Sequence, residues 1–278
     1  MIGINSQIEI VEGNIEGAVR KANLPLNKMI LLGIMAGAFI ALGGATSSTA
    51  AHAISNVGLA RTVAGCVFPI GLMMIVFVGG ELFTGNCLIF MAVLDGKVSW
   101  SKFFRNLFVV YFSNLAGALL IDFLLFYSGN LDYSSGWLGA YAIKVAVGKA
   151  SITPLKGITS GILCNILVCV AILMAAAAQD AAGKIWAIFF PIFAFVIGGF
   201  EHCIANMFYI PMGMLAATSS TYVQQAKEIY GIGADQLAQL NFSNAIASFL
   251  PVTVGNIIGG AVCVGSICYV IHEKLGKK

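Results

Sequence analysis

Two stretches carry the side chains able to do chemistry: Ile197-Gly-Gly-Phe-Glu-His-Cys-Ile-Ala-Asn206 and Val78-Gly-Gly-Glu-Leu-Phe-Thr-Gly-Asn86. Each places a carboxylate beside a glycine pair inside an otherwise apolar run. Ionisable groups in such a run are costly and mark function. A backbone break there must be buried in protein or line a wet cavity, because hydrocarbon offers no hydrogen bonds. His202 is the histidine expected at membrane depth, with His52 and His272 at the ends of spans. An imidazole in a break donates to an anion or passes a proton. Glu81 and Glu201 read as structural, each accepting from amides exposed at the start of a half-helix. Gly79, Gly80, Gly198 and Gly199 bend the chain. Thr84 either caps the following half-helix or reaches across to His202. Asn165 and Asn206 read as glue between helices or as donors lining a path. Phe68, Leu72, Phe83, Val168 and Phe195 are core or lipid contacts unless their faces turn toward the breaks, where they would form apolar constrictions.

The elements that must position these groups are membrane spans. The 278 residues are 59% hydrophobic and 10% charged, and the mean hydropathy of +0.92 lies outside the range of soluble domains. Fold class is therefore an all-α polytopic membrane protein. A net charge of +3 is too small to suggest nucleic acid as a partner. The seven cysteines fall in apolar segments without metal-site or disulfide spacing, and no metal or cofactor is expected. Residues 1–27 form a polar amphipathic segment, lacking the apolar core of a cleavable signal, that lies at the membrane surface or packs against the bundle. Residues 28–272 form the transmembrane domain, and 273–278 a tail.

Six spans are expected: 28–54, 62–94 broken at 79–86, 104–127, 155–177, 185–216 broken at Gly198, and 243–271. Each half of a broken span is expected to be too short to cross ~30 Å of hydrocarbon alone. Residues 128–154 read as a loop, Asp180 to Lys184 as a turn, and 218–241 as a surface helix. With the N-terminus inside, Arg20, Lys21, Lys28, Lys97, Lys102, Arg105, Lys184, Lys274, Lys277 and Lys278 face the cytoplasm, against Arg61, Lys144, Lys149, Lys156 and Lys227 outside. That excess places both termini in the cytoplasm. Gly33-x-x-x-Gly37 matches Gly157-x-x-x-Gly161, Gly79-Gly80 matches Gly198-Gly199, and Asn114-x-x-Gly117 matches Asn256-x-x-Gly259. Three spans per repeat invert the second half, giving paired broken helices that meet near the midplane, the usual place for a transport site.

Val78 to Gly85, Gly161-Ile-Leu-Cys-Asn-Ile-Leu-Val-Cys-Val-Ala171 and Phe200-Glu-His-Cys-Ile-Ala-Asn-Met-Phe-Tyr-Ile-Pro211 resemble the signatures of the formate/nitrite transporter family, over essentially the whole chain. Within it the sequence looks most like the hydrosulfide channel branch. The resemblance implies an aquaporin-like protomer in a homopentamer, in the cytoplasmic membrane of a prokaryote. It carries the central histidine to His202, the loop threonine to Thr84, the pore asparagines to Asn165 and Asn206, and the vestibule lysine to Lys149, with Lys144 and Lys156 as competitors. It maps one constriction to Phe68, Val168 and Phe195, and the other to Leu72, Leu82 and Phe83.

The expected activity is passive passage of a small monovalent weak-acid anion, hydrosulfide first, then formate or nitrite. Proton-coupled secondary transport is the alternative. An enzyme built on His202 and Glu201 lacks a nucleophile or metal cluster to accompany them.

Overall fold

The computed structural model describes residues 3–276; Lys277 and Lys278, counted above among the cytoplasmic charges, lie outside the described residues. Helix α1 (Gln7–Ala22) opens with a capping box in which the Ser6 side chain accepts from Glu9 N–H and the Glu9 carboxylate accepts from Ser6 N–H. Those bonds hold the Glu9 carboxyl below its ordinary value. Its apolar stripe, Val11, Ile15, Ala18 and Ala22, is buried, and α1 packs against the bundle. Asn5 ties the segment down by bonding Ala176 O and Ala177 O.

The spans follow as α2 (Leu26–Ala51), α3 (Val57–Val78) with short α4 (Phe83–Leu94), and α5 (Trp100–Tyr127). The second half repeats this as α7 (Pro154–Ala177), α8 (Ala181–Gly198) with short α9 (Cys203–Ala216), and α11 (Phe242–Leu275). Between the halves lies α6 (Tyr133–Ala150), and α10 (Ser220–Tyr230) covers the same end of the molecule.

The structure departs from the sequence expectations in several places. Helix α3 starts at Val57, where Asn56 caps it by accepting from Leu59 N–H, and at 22 residues it is longer than the half-helix expected. Pro69, which has no N–H to give, divides it into Val57–Val67 and Ile70–Val78. The expected loop 128–154 is mostly helix, because Gly139, Ala140, Ile143, Ala146, Val147 and Ala150 form a buried small-residue stripe against α9. Ser134 to Gly136 have positive φ, so regular helix begins at Trp137. Asp180 is the N-cap of α8 and not part of a longer turn. The surface segment is two helices, α10 and the single turn Ala234–Leu237.

Within each half the first and third spans touch backbone to backbone. A Cβ on Gly37 would fall on the Asn114 backbone, and one on Gly161 would lie 2.7 Å from Val252 O. Small residues at these crossings allow this approach, and they fix the frame that holds the breaks.

Asp122 of α5 is fully buried, and neither carboxylate oxygen has a hydrogen-bond partner among the described residues. An unsatisfied buried polar group costs about 1–3 kcal/mol. Asp122→Leu is therefore expected to raise the melting midpoint of the detergent-solubilised protein, and a lowered midpoint would show that the carboxylate is satisfied.

Candidate functional site

The two breaks are built alike. Helix α3 ends at Gly79 (φ +103°) and α8 at Gly199 (φ +66°), backbone conformations that suit glycine. Each glycine stands two residues before its glutamate, so the structural register pairs Gly79 with Gly199, one residue off the match of the dipeptides. Gly80 lies close to Ala36, where an added Cβ would be 3.2 Å from its Cβ, and Gly198 is the last residue of α8.

The freed backbone groups are not held by Glu81 and Glu201, contrary to the expectation. Asn114 Oδ1 accepts from Phe83 N–H at 3.0 Å, while its Nδ2 donates to Gly33 O at 2.7 Å and Glu81 O at 2.8 Å. Asn256 Oδ1 accepts from Cys203 N–H at 2.9 Å, while its Nδ2 donates to Gly161 O at 2.8 Å and Glu201 O at 3.0 Å. Both side chains are fully buried. The asparagines reach the amides from neighbouring helices, leaving the carboxylates to turn toward side chains.

Glu81 accepts from Asn86 Nδ2 at 2.6 Å and pairs with Lys21 Nζ at 3.1 Å. Glu201 accepts from Asn206 Nδ2 at 2.7 Å and pairs with Lys149 Nζ at 2.9 Å. Lys149 also stands over the Tyr209 ring, 5.3 Å from its centroid. Sequence reasoning missed Lys21, Asn86, Asn114 and Asn256 as parts of the site. The shared five-residue spacing of Glu81 to Asn86 and Glu201 to Asn206 was the available signal.

His202 is the N-cap of α9. Its Nδ1 accepts from Ala205 N–H at 3.0 Å, and its Nε2 lies 3.0 Å from Thr84 Oγ1. An acceptor Nδ1 puts the ring proton on Nε2, which donates to the threonine. Thr84 lies inside α4, whose N-cap is Leu82, so its hydroxyl does not cap that helix. The break position equivalent to His202 is thus Leu82, and the imidazole belongs to one half only.

Two cavities approach this junction from opposite ends. The first, about 680 Å³, is lined by Phe68, Phe195, His202, Lys149 and Glu201. The second, about 580 Å³, is lined by Leu72, Leu82, Glu81 and Lys21. Phe68 and Phe195 meet edge to face with centroids 5.4 Å apart, and Phe195 stacks on His202 at 5.9 Å. His202, on the wall of the first cavity, bonds the fully buried Thr84, whose neighbours Leu82 and Gly85 line the second. Six predicted residues line neither cavity, Thr84 and Gly198 among them. Phe83 packs edge to face on Tyr111, and Val168 is buried. Asn165 donates to Thr84 O and Asn256 O, taking the glue role. Asn206 orients Glu201. Of the competing lysines, Lys144 lines the first cavity beside Lys149, whereas Lys156 is exposed elsewhere.

A sequence profile described as Formate/nitrite transporter matches residues 8–270. The chain belongs to the formate/nitrite transporter family. Relatives include the formate channel FocA of Haemophilus influenzae, 38% identical over 89% of this chain and 88% of that protein. A probable formate transporter of Methanothermobacter thermautotrophicus is 36% identical over 91% and 92%. A pentameric formate channel solved with formate bound superposes with a TM-score of 0.77 at 35% identity, covering 89% of this chain and 97% of that one. A solved FNT family ion channel gives 0.80 at 26% identity over 94% and 98%. The expected six-helix, aquaporin-like class stands, as a multi-pass membrane protein. These relatives are channels and transporters, and the enzyme alternative falls.

Proposed function

We propose that this family member is a passive channel for small monovalent weak-acid anions, formate first, assembled as a homopentamer with one pathway through each protomer. The observation that carries the reading is the bond of His202, on the wall of one cavity, to Thr84, whose neighbours Leu82 and Gly85 line the other. A bare charge in such a passage is heavily penalised. Thr84 Oγ1 accepts from the ring and keeps its own O–H to donate, and an anion at this point would take the Nε2–H from the threonine. Lys149 gathers anions at the mouth. Its pairing with Glu201 tempers its hold, so the anion is drawn in without being trapped. Phe68 and Phe195 form one constriction, Leu72 and Leu82 the other.

The face carrying α1 is assigned to the cytoplasm with both termini. Lys102 and Arg105 gather there by bonding Asn23 and Leu24, while Arg61, Lys144 and Lys149 line the opposite cavity, which agrees with the positive-inside pattern.

The resemblance to the hydrosulfide branch put hydrosulfide first. The named relatives favour formate, and the order proposed is formate, then nitrite and hydrosulfide. A flux panel in proteoliposomes at several pH values tests it, with chloride expected lowest because it has no weak-acid form. Chloride flux equal to formate flux would overturn the weak-acid reading. Uphill formate accumulation driven by an imposed pH gradient would replace the channel with proton-coupled transport.

A further inference from the structure

The two cavities differ in charge once their ion pairs are cancelled. In the cavity facing α1, the Lys21 and Glu81 pair leaves Glu9 as the remaining charge on the wall. In the opposite cavity, the Lys149 and Glu201 pair leaves Arg61 and Lys144. Neither of these has a carboxylate within ion-pair distance among the described residues. Arg61 Nη1 donates to Ile197 O at 3.0 Å, which leaves most of its planar fork open. Such a fork matches a carboxylate in bidentate fashion. Lys144 Nζ stands 5.0 Å and 5.5 Å from the Tyr230 and Tyr141 ring centroids. Trp137 donates its indole N–H to Tyr230 OH at 2.7 Å, which joins these rings into one aromatic wall.

A volume of about 680 Å³ far exceeds what a one-carbon anion needs and falls in the range of pockets for larger organic ligands. The passage beyond it is closed to a ring by the Phe68 and Phe195 contact. We propose that this cavity is a binding site for aromatic monocarboxylates, held by Arg61 and Lys144 against the Trp137, Tyr141 and Tyr230 wall, where they stop at the mouth and obstruct the permeant anion. The binding site stands on these residues alone, while obstruction rests on the channel reading above.

The test uses benzoate and the fluorescence of Trp137 in the purified full-length protein, with Trp100 and Trp186, both exposed and outside the cavity lining, replaced by phenylalanine. A saturable change is expected, with half-saturation raised about tenfold or more in Arg61→Gln and in Lys144→Gln, as for loss of a charge-assisted bond. Arg61→Lys, which keeps charge but not the fork, is expected to fall between. No saturable change, or the same half-saturation in both glutamine variants, would overturn the site. Benzoate is then added to formate-loaded proteoliposomes. Binding without any formate flux in the untreated protein would refute the channel and leave the site standing. Flux undiminished by saturating benzoate on either side would refute the obstruction.

Discussion

His202→Leu is expected to cut formate flux by about 10- to 100-fold, because a hydrogen bond to a charged group contributes about 1.5–3 kcal/mol and each 1.36 kcal/mol in a barrier is about tenfold in rate. Leucine also removes the side-chain cap that Nδ1 supplies to Ala205 N–H, a loss of about 0.5–2 kcal/mol, so melting must be recorded beside flux. His202→Asn separates the two roles, since an asparagine caps well and keeps a donor. It is expected to melt close to the native protein and to retain more flux than leucine. Its pH dependence should follow that of the native channel. The Ala205 bond occupies Nδ1, so a second ring proton would have to displace it. The pH dependence is therefore assigned to the permeant acid. A flat pH profile in the asparagine variant would return the proton to the ring.

The second large effect is on folding. Asn256 satisfies three buried backbone groups, Cys203 N–H, Gly161 O and Glu201 O. At about 1–3 kcal/mol for each group left unsatisfied, Asn256→Leu reaches the range above about 4–5 kcal/mol that few point mutations attain. The variant is expected to fail to accumulate as a monodisperse species in size-exclusion chromatography. Asn114→Leu is expected to do the same through Phe83 N–H, Gly33 O and Glu81 O. Asn256→Asp keeps the acceptor for Cys203 N–H but sets a carboxylate against Gly161 O and Glu201 O, and is expected to be no milder. A leucine variant that elutes and melts like the native protein would mean that water replaces the amide at the break.

Much of the frame was legible because hydropathy and glycine placement are properties of the chain itself. The six spans, the two breaks and the inversion all follow from apolar runs with small residues at repeated positions. Helix α6 escaped because its glycine, serine and aromatic content resembles a loop, while its burial depends on Gly213 and Ala142 meeting across helices. The partnership of Thr84 with His202 could be anticipated, as both stood in breaks that an inverted repeat brings together. The work of Asn114 and Asn256 could not, because every group they bind belongs to a different segment. The glutamates were misjudged by a local rule. A carboxylate beside a free amide looks like a cap until a third helix supplies a better one. Arg61 registered as a loop charge and Lys144 as a competitor for the vestibule lysine, and only the fold makes them neighbours of the same space.

The Phe68 and Phe195 contact joins rings from the two halves of the chain, one at the Pro69 kink and one on α8, inside a backbone frame locked by glycine crossings. On the channel reading proposed above, selectivity would then be an interchangeable fitting in a fixed housing. Neither ring touches the asparagine bonds that hold the breaks, so trimming or swapping a ring is expected to alter what passes while the architecture stays the same.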